Sequence, residues 1–135
     1  MGSARVATGN TDAGDGYHVL VVDDNRALAT VVAESLQHTD SALRTSYTTE
    51  PREALDRLSE GRVDCLVTDY EMPGIDGLSL VDRADTEMPF VVFTQRRDDG
   101  VASAVRERGG AYLPKGTGSE RYHRLATLIH EQLGN

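Results

Sequence analysis

Asp23, Asp24, Asp69, Thr94 and Lys115 are of types that together can move a phosphoryl group. An aspartate serves as the nucleophile, a hydroxyl and an ammonium hold the oxygens of an incoming anion, and clustered carboxylates hold a metal ion. Although they are spread over most of the chain, each ends or directly follows a short apolar run that reads as a β-strand. LVVDDN delivers Asp23 and Asp24, VTDYEMPGIDG delivers Asp69, VVFT ends on Thr94, and AYLPK ends on Lys115. Pro73, Gly74 and Gly77 stop extended structure within a few residues of Asp69. In an open parallel sheet all strand ends of one polarity project from one edge, where ligands bind, so distant residues meet in one pocket.

Three carboxylates brought together there repel one another. At ~4 Å and an effective dielectric of about 20, each like-charged pair costs about 4 kcal/mol. A cation is required. Oxygen donors without clustered His or Cys favour a hard ion, and a few carboxylates that leave room for water and phosphate oxygens suit Mg²⁺. Each residue also has a plainer use. Asp69 can form a turn after its strand, Asp23-Asp24-Asn25 can cap a helix, and Thr94 can be an ordinary strand threonine. Lys115 is harder to set aside: of fourteen cations it alone is lysine, and it stands at the strand edge where a compact cation is needed.

The elements that must position these groups alternate. YHVLVV (Tyr17 to Val22) is a continuous apolar strand, followed by a helix whose apolar face is read as Leu28, Val31, Val32 and Leu36. A more polar strand, Ala42 to Thr48, is expected nearer an edge. Pro51 and Glu53 open a second helix that ends at Gly61. The strand starting at Val63 leads to Asp69, and a short helix runs from Asp76. PFVVFT is the fourth strand, Asp98 and Asp99 cap a fourth helix, Ala111 to Pro114 form the fifth strand, and Tyr122, Leu125, Ala126, Ile129 and Leu133 mark one face of the last helix. Five strand–helix pairs predict an α/β fold, (βα)5 and doubly wound: a five-stranded parallel sheet with helices on both faces. Residues 1–16 are expected to be a disordered arm and residues 17–135 a single domain.

Composition narrows the function. A net charge of −8 argues against a nucleic-acid surface, which needs clustered Lys and Arg. The longest apolar runs are strand-length, so neither a membrane span nor a signal peptide is read, and a soluble, cytoplasmic protein is expected. Cys65, the single cysteine, sits in an expected buried strand and reads as a small hydrophobe.

LVVDDN, VTDYEMPGIDG, VVFT and AYLPK, in this order, closely resemble the motifs of the receiver domain of two-component response regulators, over Tyr17 to Asn135. The resemblance implies a CheY-like, flavodoxin-like fold in which Asp69 accepts a phosphoryl group from a sensor histidine kinase or phosphotransfer protein. It implies Mg²⁺ ligation by Asp24, Asp69 and the backbone carbonyl of Glu71, with Asp23 acting through water. It implies further that Lys115 contacts the phosphoryl oxygens, that Thr94 swings towards them, and that Tyr112 turns into the space vacated. The fourth helix, fifth strand and fifth helix would then form the output face for a downstream effector domain or protein. A homodimer is compatible with the resemblance. The chain suits a stand-alone receiver or one cut from a longer protein.

Two positions depart from the pattern. Gly116 stands where receivers usually have proline after a cis bond, so a trans bond is expected, and the Gly109 to Tyr112 segment is one residue tighter. Glu71 and Arg96, two residues beyond Asp69 and Thr94, are either solvated loop charges or a pair across the pocket mouth that limits attack by water. His123 and His130, seven apart on the last helix, lack a third ligand and read as ordinary surface residues, and His18 and His38 carry no local motif. Of the competitors, a haloacid-dehalogenase-like phosphatase needs a second aspartate two residues after the first, where Asn25 stands. A pseudo-receiver signalling by contacts alone would have no use for the intact set of five. The acidic, arginine-dominated composition suggests adaptation to salt, which screens the repulsion among surface carboxylates. The melting temperature is therefore expected to rise with added potassium chloride, and a flat or falling thermal-shift series would refute salt adaptation.

Overall fold

Every apolar run becomes a strand and every amphipathic segment a helix. The computed structural model describes residues 16–84, 87–95 and 97–134; the expected N-terminal arm lies almost wholly outside them. The order is β1 (Tyr17–Val22), α1 (Arg26–Thr39), β2 (Leu43–Thr48), α2 (Pro51–Ser59), β3 (Cys65–Thr68), α3 (Gly77–Ala84), β4 (Phe90–Thr94), α4 (Asp99–Glu107), β5 (Ala111–Pro114) and α5 (Glu120–Leu133). The strands form one parallel sheet in the order β2-β1-β3-β4-β5, with β2 at an edge as its polarity predicts.

The alternation of side chains along a strand divides the core in two. Val19 and Val21 face one side, where Val32, Leu36, Leu125 and Ile129 of α1 and α5 pack on them. Leu20 and Val22 face the other, against Ala54 and Leu58 of α2, Leu78 and Leu80 of α3, and Val105 of α4. β1, β3 and β4 are buried on both faces, which explains their unbroken apolar sequences. Cys65 is fully buried, and burial pushes its thiol up to about 12, so it acts as a small hydrophobe.

Three local readings need correction. α1 buries Ala29, Val32, Ala33 and Leu36, whereas Leu28 and Val31 are 43% and 45% exposed; the buried stripe runs through the alanines. β3 begins at Cys65, not Val63: the Asp64 N–H donates to the His18 carbonyl at 2.8 Å, but the Asp64 carboxylate takes the His18 N–H at 2.8 Å, the donor a longer ladder would give to a backbone carbonyl. Two of the histidines are tied into the fold. His130 Nε2 lies 2.7 Å from Asp40 Oδ2, joining α5 to the end of α1, and its ring meets Tyr17 edge-on at 6.0 Å. His18 Nε2 lies 2.8 Å from Ser46 Oγ on β2.

The N-termini of α1 and α4 are closed by side chains other than those of the site aspartates. The Asn25 side chain, not Asp23 or Asp24, caps α1 by accepting from the Leu28 N–H at 3.1 Å. Asp98 caps α4 through the N–H groups of Gly100 and Val101. The tight Gly109-Gly110 segment has a steric cause: Gly109 ends α4 at φ +82°, and a Cβ on Gly110 would fall inside the Phe90 ring. Gly77 is similarly constrained, since a Cβ there would overlap the Asp69 carbonyl oxygen and lie 3.1 Å from Thr68 Cγ2. Gly77→Ala must therefore push α3 away from the end of β3. A loss of about 1–3 kcal/mol is expected, read as a lower denaturant midpoint; an unchanged midpoint would show that α3 moves freely relative to Asp69.

Candidate functional site

The four strand ends meet as the topology requires. β1 and β3 are neighbours, with Val22 in register with Thr68, so Asp23 and Asp69 emerge side by side. One carboxylate oxygen from each of Asp23, Asp24 and Asp69 falls within a 4.8 Å cluster. β4 and β5 pair with Thr94 opposite Pro114, which places Lys115 next to the end of β4, its N–H donating to the Thr94 carbonyl at 2.7 Å.

Lys115 is the electrostatic centre. Its side chain is 6% exposed, and Nζ lies 3.0 Å from Asp23 Oδ2 and 3.8 Å from Asp69 Oδ2. A buried ammonium is tolerated only beside carboxylates, and a buried carboxylate only beside a cation or donors, so neither charge is stable there alone. Asp23 is pinned further, Oδ1 accepting from the Asn25 N–H at 2.9 Å. Asp69 Oδ1 accepts from the Tyr70 N–H at 2.7 Å, and the buried Thr94 hydroxyl stands near enough to the Asp69 carboxylate to favour its charged form. Asp24 is exposed, at the mouth of the pocket.

With one ammonium among three carboxylates, the cluster carries a surplus of negative charge. Its oxygen donors fit a hard divalent cation, with Asp24 open to water on the outer side. The same imbalance marks Asp69: burial raises its carboxyl above the ordinary value, with a smaller contribution from the Asp23 charge, against the opposing effects of Lys115, the Thr94 hydroxyl and the Tyr70 N–H.

Of the residues expected at the site, Asp23, Asp24, Asp69, Thr94 and Lys115 converge. Tyr112 on β5 is half-buried against the second core cluster, and its hydroxyl accepts from the Asp98 N–H at 2.8 Å, linking β5 to the cap of α4. Glu71 is exposed beside the pocket. Arg96 lies outside the described residues, and so does the expected Glu71–Arg96 pair. The Lys115–Gly116 bond is trans, as expected, and Gly116 takes φ +59°, a left-handed conformation closed to proline. Sequence reasoning missed the Tyr70 N–H, a backbone donor with no residue signature; of the cap read at Asp23-Asp24-Asn25, the structure uses Asn25.

A family description, the response regulator receiver domain, matches residues 19–126. Among curated relatives, the response regulator MprA of Mycolicibacterium vanbaalenii is 33% identical over 101 residues, covering 72% of this chain and 43% of that protein. The cyclic di-GMP phosphodiesterase response regulator RpfG of Xanthomonas campestris is 29% identical over 99 residues, covering 70% and 26%. The chain thus spans less than half the length of these relatives. Among solved structures, a response regulator receiver domain protein from Clostridium thermocellum superposes with a TM-score of 0.74 at 19% identity, covering 87% of this chain and 94% of that one. Vibrio cholerae chemotaxis protein CheY4 gives 0.73 at 21%, covering 84% and 98%. The fold is therefore that of the CheY-like, doubly wound signalling domains. By its sequence the chain belongs to the response regulator receiver domain family of two-component systems.

Because the folded-state pKa of Asp69 is raised, the folded protein holds this proton more tightly than the unfolded chain does. Stability from this group is full below the ordinary carboxylate pKa and is lost as pH rises through the folded value. Asp69→Asn removes that loss while Lys115 keeps Asp23 as its partner. The variant is expected to melt above the native protein at neutral pH without divalent ions, with the gap closing as pH falls from the raised folded value to the ordinary carboxylate value. A variant that melts lower at every pH would show that the Asp69–Lys115 attraction outweighs burial.

Proposed function

We propose that Asp69 is the phosphoacceptor of this receiver domain. The observation that carries it is Lys115, buried at the strand ends within reach of both Asp23 and Asp69. In the transfer, an Asp69 carboxylate oxygen forms the new bond to phosphorus while the bond from phosphorus to the donor's imidazole nitrogen breaks, its electron pair leaving with the imidazole. Lys115 holds the phosphoryl oxygens by charge, and Thr94 donates a further hydrogen bond to them. The Tyr70 N–H holds the second carboxylate oxygen of Asp69 and so fixes the direction of attack. Asp24, Asp69 and the Glu71 carbonyl are the proposed Mg²⁺ ligands, with Asp23 acting through water, and the ion when bound would supply charge neutralisation for the transferred group.

The proposed donor is a histidine kinase or phosphotransfer protein, and the proposed readout is a change in the surface formed by α4, β5 and α5. Tyr112 is the proposed coupling residue, because it stands on β5 and holds the cap of α4. The domain is assigned to residues 17–135 and to the cytoplasm; among the described residues no helix is long and apolar enough to cross a membrane. Its own phosphoryl transfer and hydrolysis are switching steps rather than turnover of an external substrate. Intact mass after incubation with acetyl phosphate provides the test. One phosphoryl adduct that depends on Mg²⁺ and is absent from Asp69→Ala is expected; absence of an adduct at any salt concentration, or an adduct that persists in the variant, would remove Asp69 from this role.

A further inference from the structure

Beside β5 a cavity of 180 Å³ opens between Arg97, which precedes α4, Thr117 in the loop after β5, and Arg121 and Arg124 in the first turns of α5. Among the described residues none of these three arginines forms an ion pair, although the chain carries 22 acidic residues against 14 basic ones. Glu120, the one carboxylate in the wall, pairs with none of them. Three like charges facing one cavity repel each other as the aspartates do, and here the missing counterion is an anion.

Arg121 points to such a ligand independently. Its Nη1 donates to the Gly116 carbonyl at 3.1 Å and its guanidinium lies 4.8 Å from the centre of the Tyr122 ring, so the group is held in place. Its Nε is buried without a hydrogen-bond acceptor. A desolvated guanidinium N–H with nothing to donate to is rare in a folded protein. The α5 N-terminus opens at the same place, and the Ser119 side chain does not cap it, leaving first-turn N–H groups available to an anion.

We infer that this pocket binds a phosphate-class oxyanion, either inorganic phosphate or the head group of a small phosphate ester. Three guanidinium forks offer more donors than the two oxygens of a carboxylate can accept, whereas a tetrahedral phosphate presents oxygens in several directions. The cavity is smaller than the roughly 300 Å³ at which pockets for larger organic ligands begin, which suits an oxyanion with little attached. The anion would neutralise the cluster and give the α5 amides an acceptor. Lys115 also borders the cavity, but its ammonium is engaged with Asp23 at 3.0 Å, so the pocket adjoins the strand-end site while using none of the strand-end aspartates.

The experiment is a nuclear magnetic resonance titration of the full ¹⁵N-labelled chain at constant ionic strength, without divalent ions, using sodium phosphate, glycerol 3-phosphate and a hexaglutamate peptide. Saturable shifts of the Gly116, Thr117, Gly118 and Arg121 amides with phosphate, with or without the ester, are expected. Binding should be about tenfold weaker in Arg121→Gln and in Arg124→Gln, variants whose remaining spectrum reports that they are folded. Asp69→Asn should bind as the native chain does, which keeps this result independent of whether Asp69 is phosphorylated. Saturation by hexaglutamate alone would make the pocket a docking point for an acidic protein segment and overturn the assignment. Shifts that never saturate, that survive unchanged in both arginine variants, or that centre on Asp23 and Thr94 would overturn it as well.

Discussion

The interaction on which this structure turns is the burial of Lys115 among aspartates. A lysine 6% exposed needs negative charge within a few ångströms, and Asp23 at 3.0 Å supplies it. Asp23 can stand there only because β1 is central, continuous and apolar, and because Asn25 takes over the capping of α1. Lys115 can reach it only if β5 pairs with β4 in the register that sets Pro114 opposite Thr94. Sheet order, helix caps and loop glycines are thus subordinate to one local balance of charge, and that balance is left incomplete, with a carboxylate surplus that a divalent ion suits.

The doubly wound topology makes such a site possible with short loops. From β1 the chain goes first to β2 on one side, then crosses to β3, β4 and β5 on the other. The adjacent ends of β1 and β3 lie at that reversal, where a crevice opens at the carboxyl edge of the sheet. Helices on both faces bury the sheet and exclude water beneath the site, which raises the Asp69 carboxyl. The same low dielectric strengthens each interaction Asp69 makes with Lys115 and Thr94.

Much of this was legible in the residues themselves. The order of strands and helices and the aspartates, threonine and lysine at the strand ends follow from apolar runs and the residues that stop them. Less legible were features that depend on what packs against what. In α1, large apolar residues at Leu28 and Val31 drew attention from the stripe through Ala29 and Ala33, where small side chains allow close approach to the sheet and to α5. His130 meets Asp40 ninety residues away in sequence, beyond the reach of any local pattern. That Arg97, Arg121 and Arg124 form no ion pair among the described residues is likewise invisible in a sequence rich in carboxylates, because pairing is decided by geometry.

The place of β5 has a consequence for how the molecule assembles. Lys115 follows the last strand of the sheet in chain order, and that strand lies at an edge with a single neighbour, so the contacts completing the site span 92 residues. Contacts of such long range demand that much of the chain be ordered first and slow the folding of parallel sheets. Until β5 has docked, Asp23 and Asp69 face each other without their ammonium, and the growing sheet carries an uncompensated electrostatic load at its carboxyl edge. A cation in solution can relieve that load earlier than Lys115 can, so the ionic medium bears on the rate at which the domain forms as well as on its final stability.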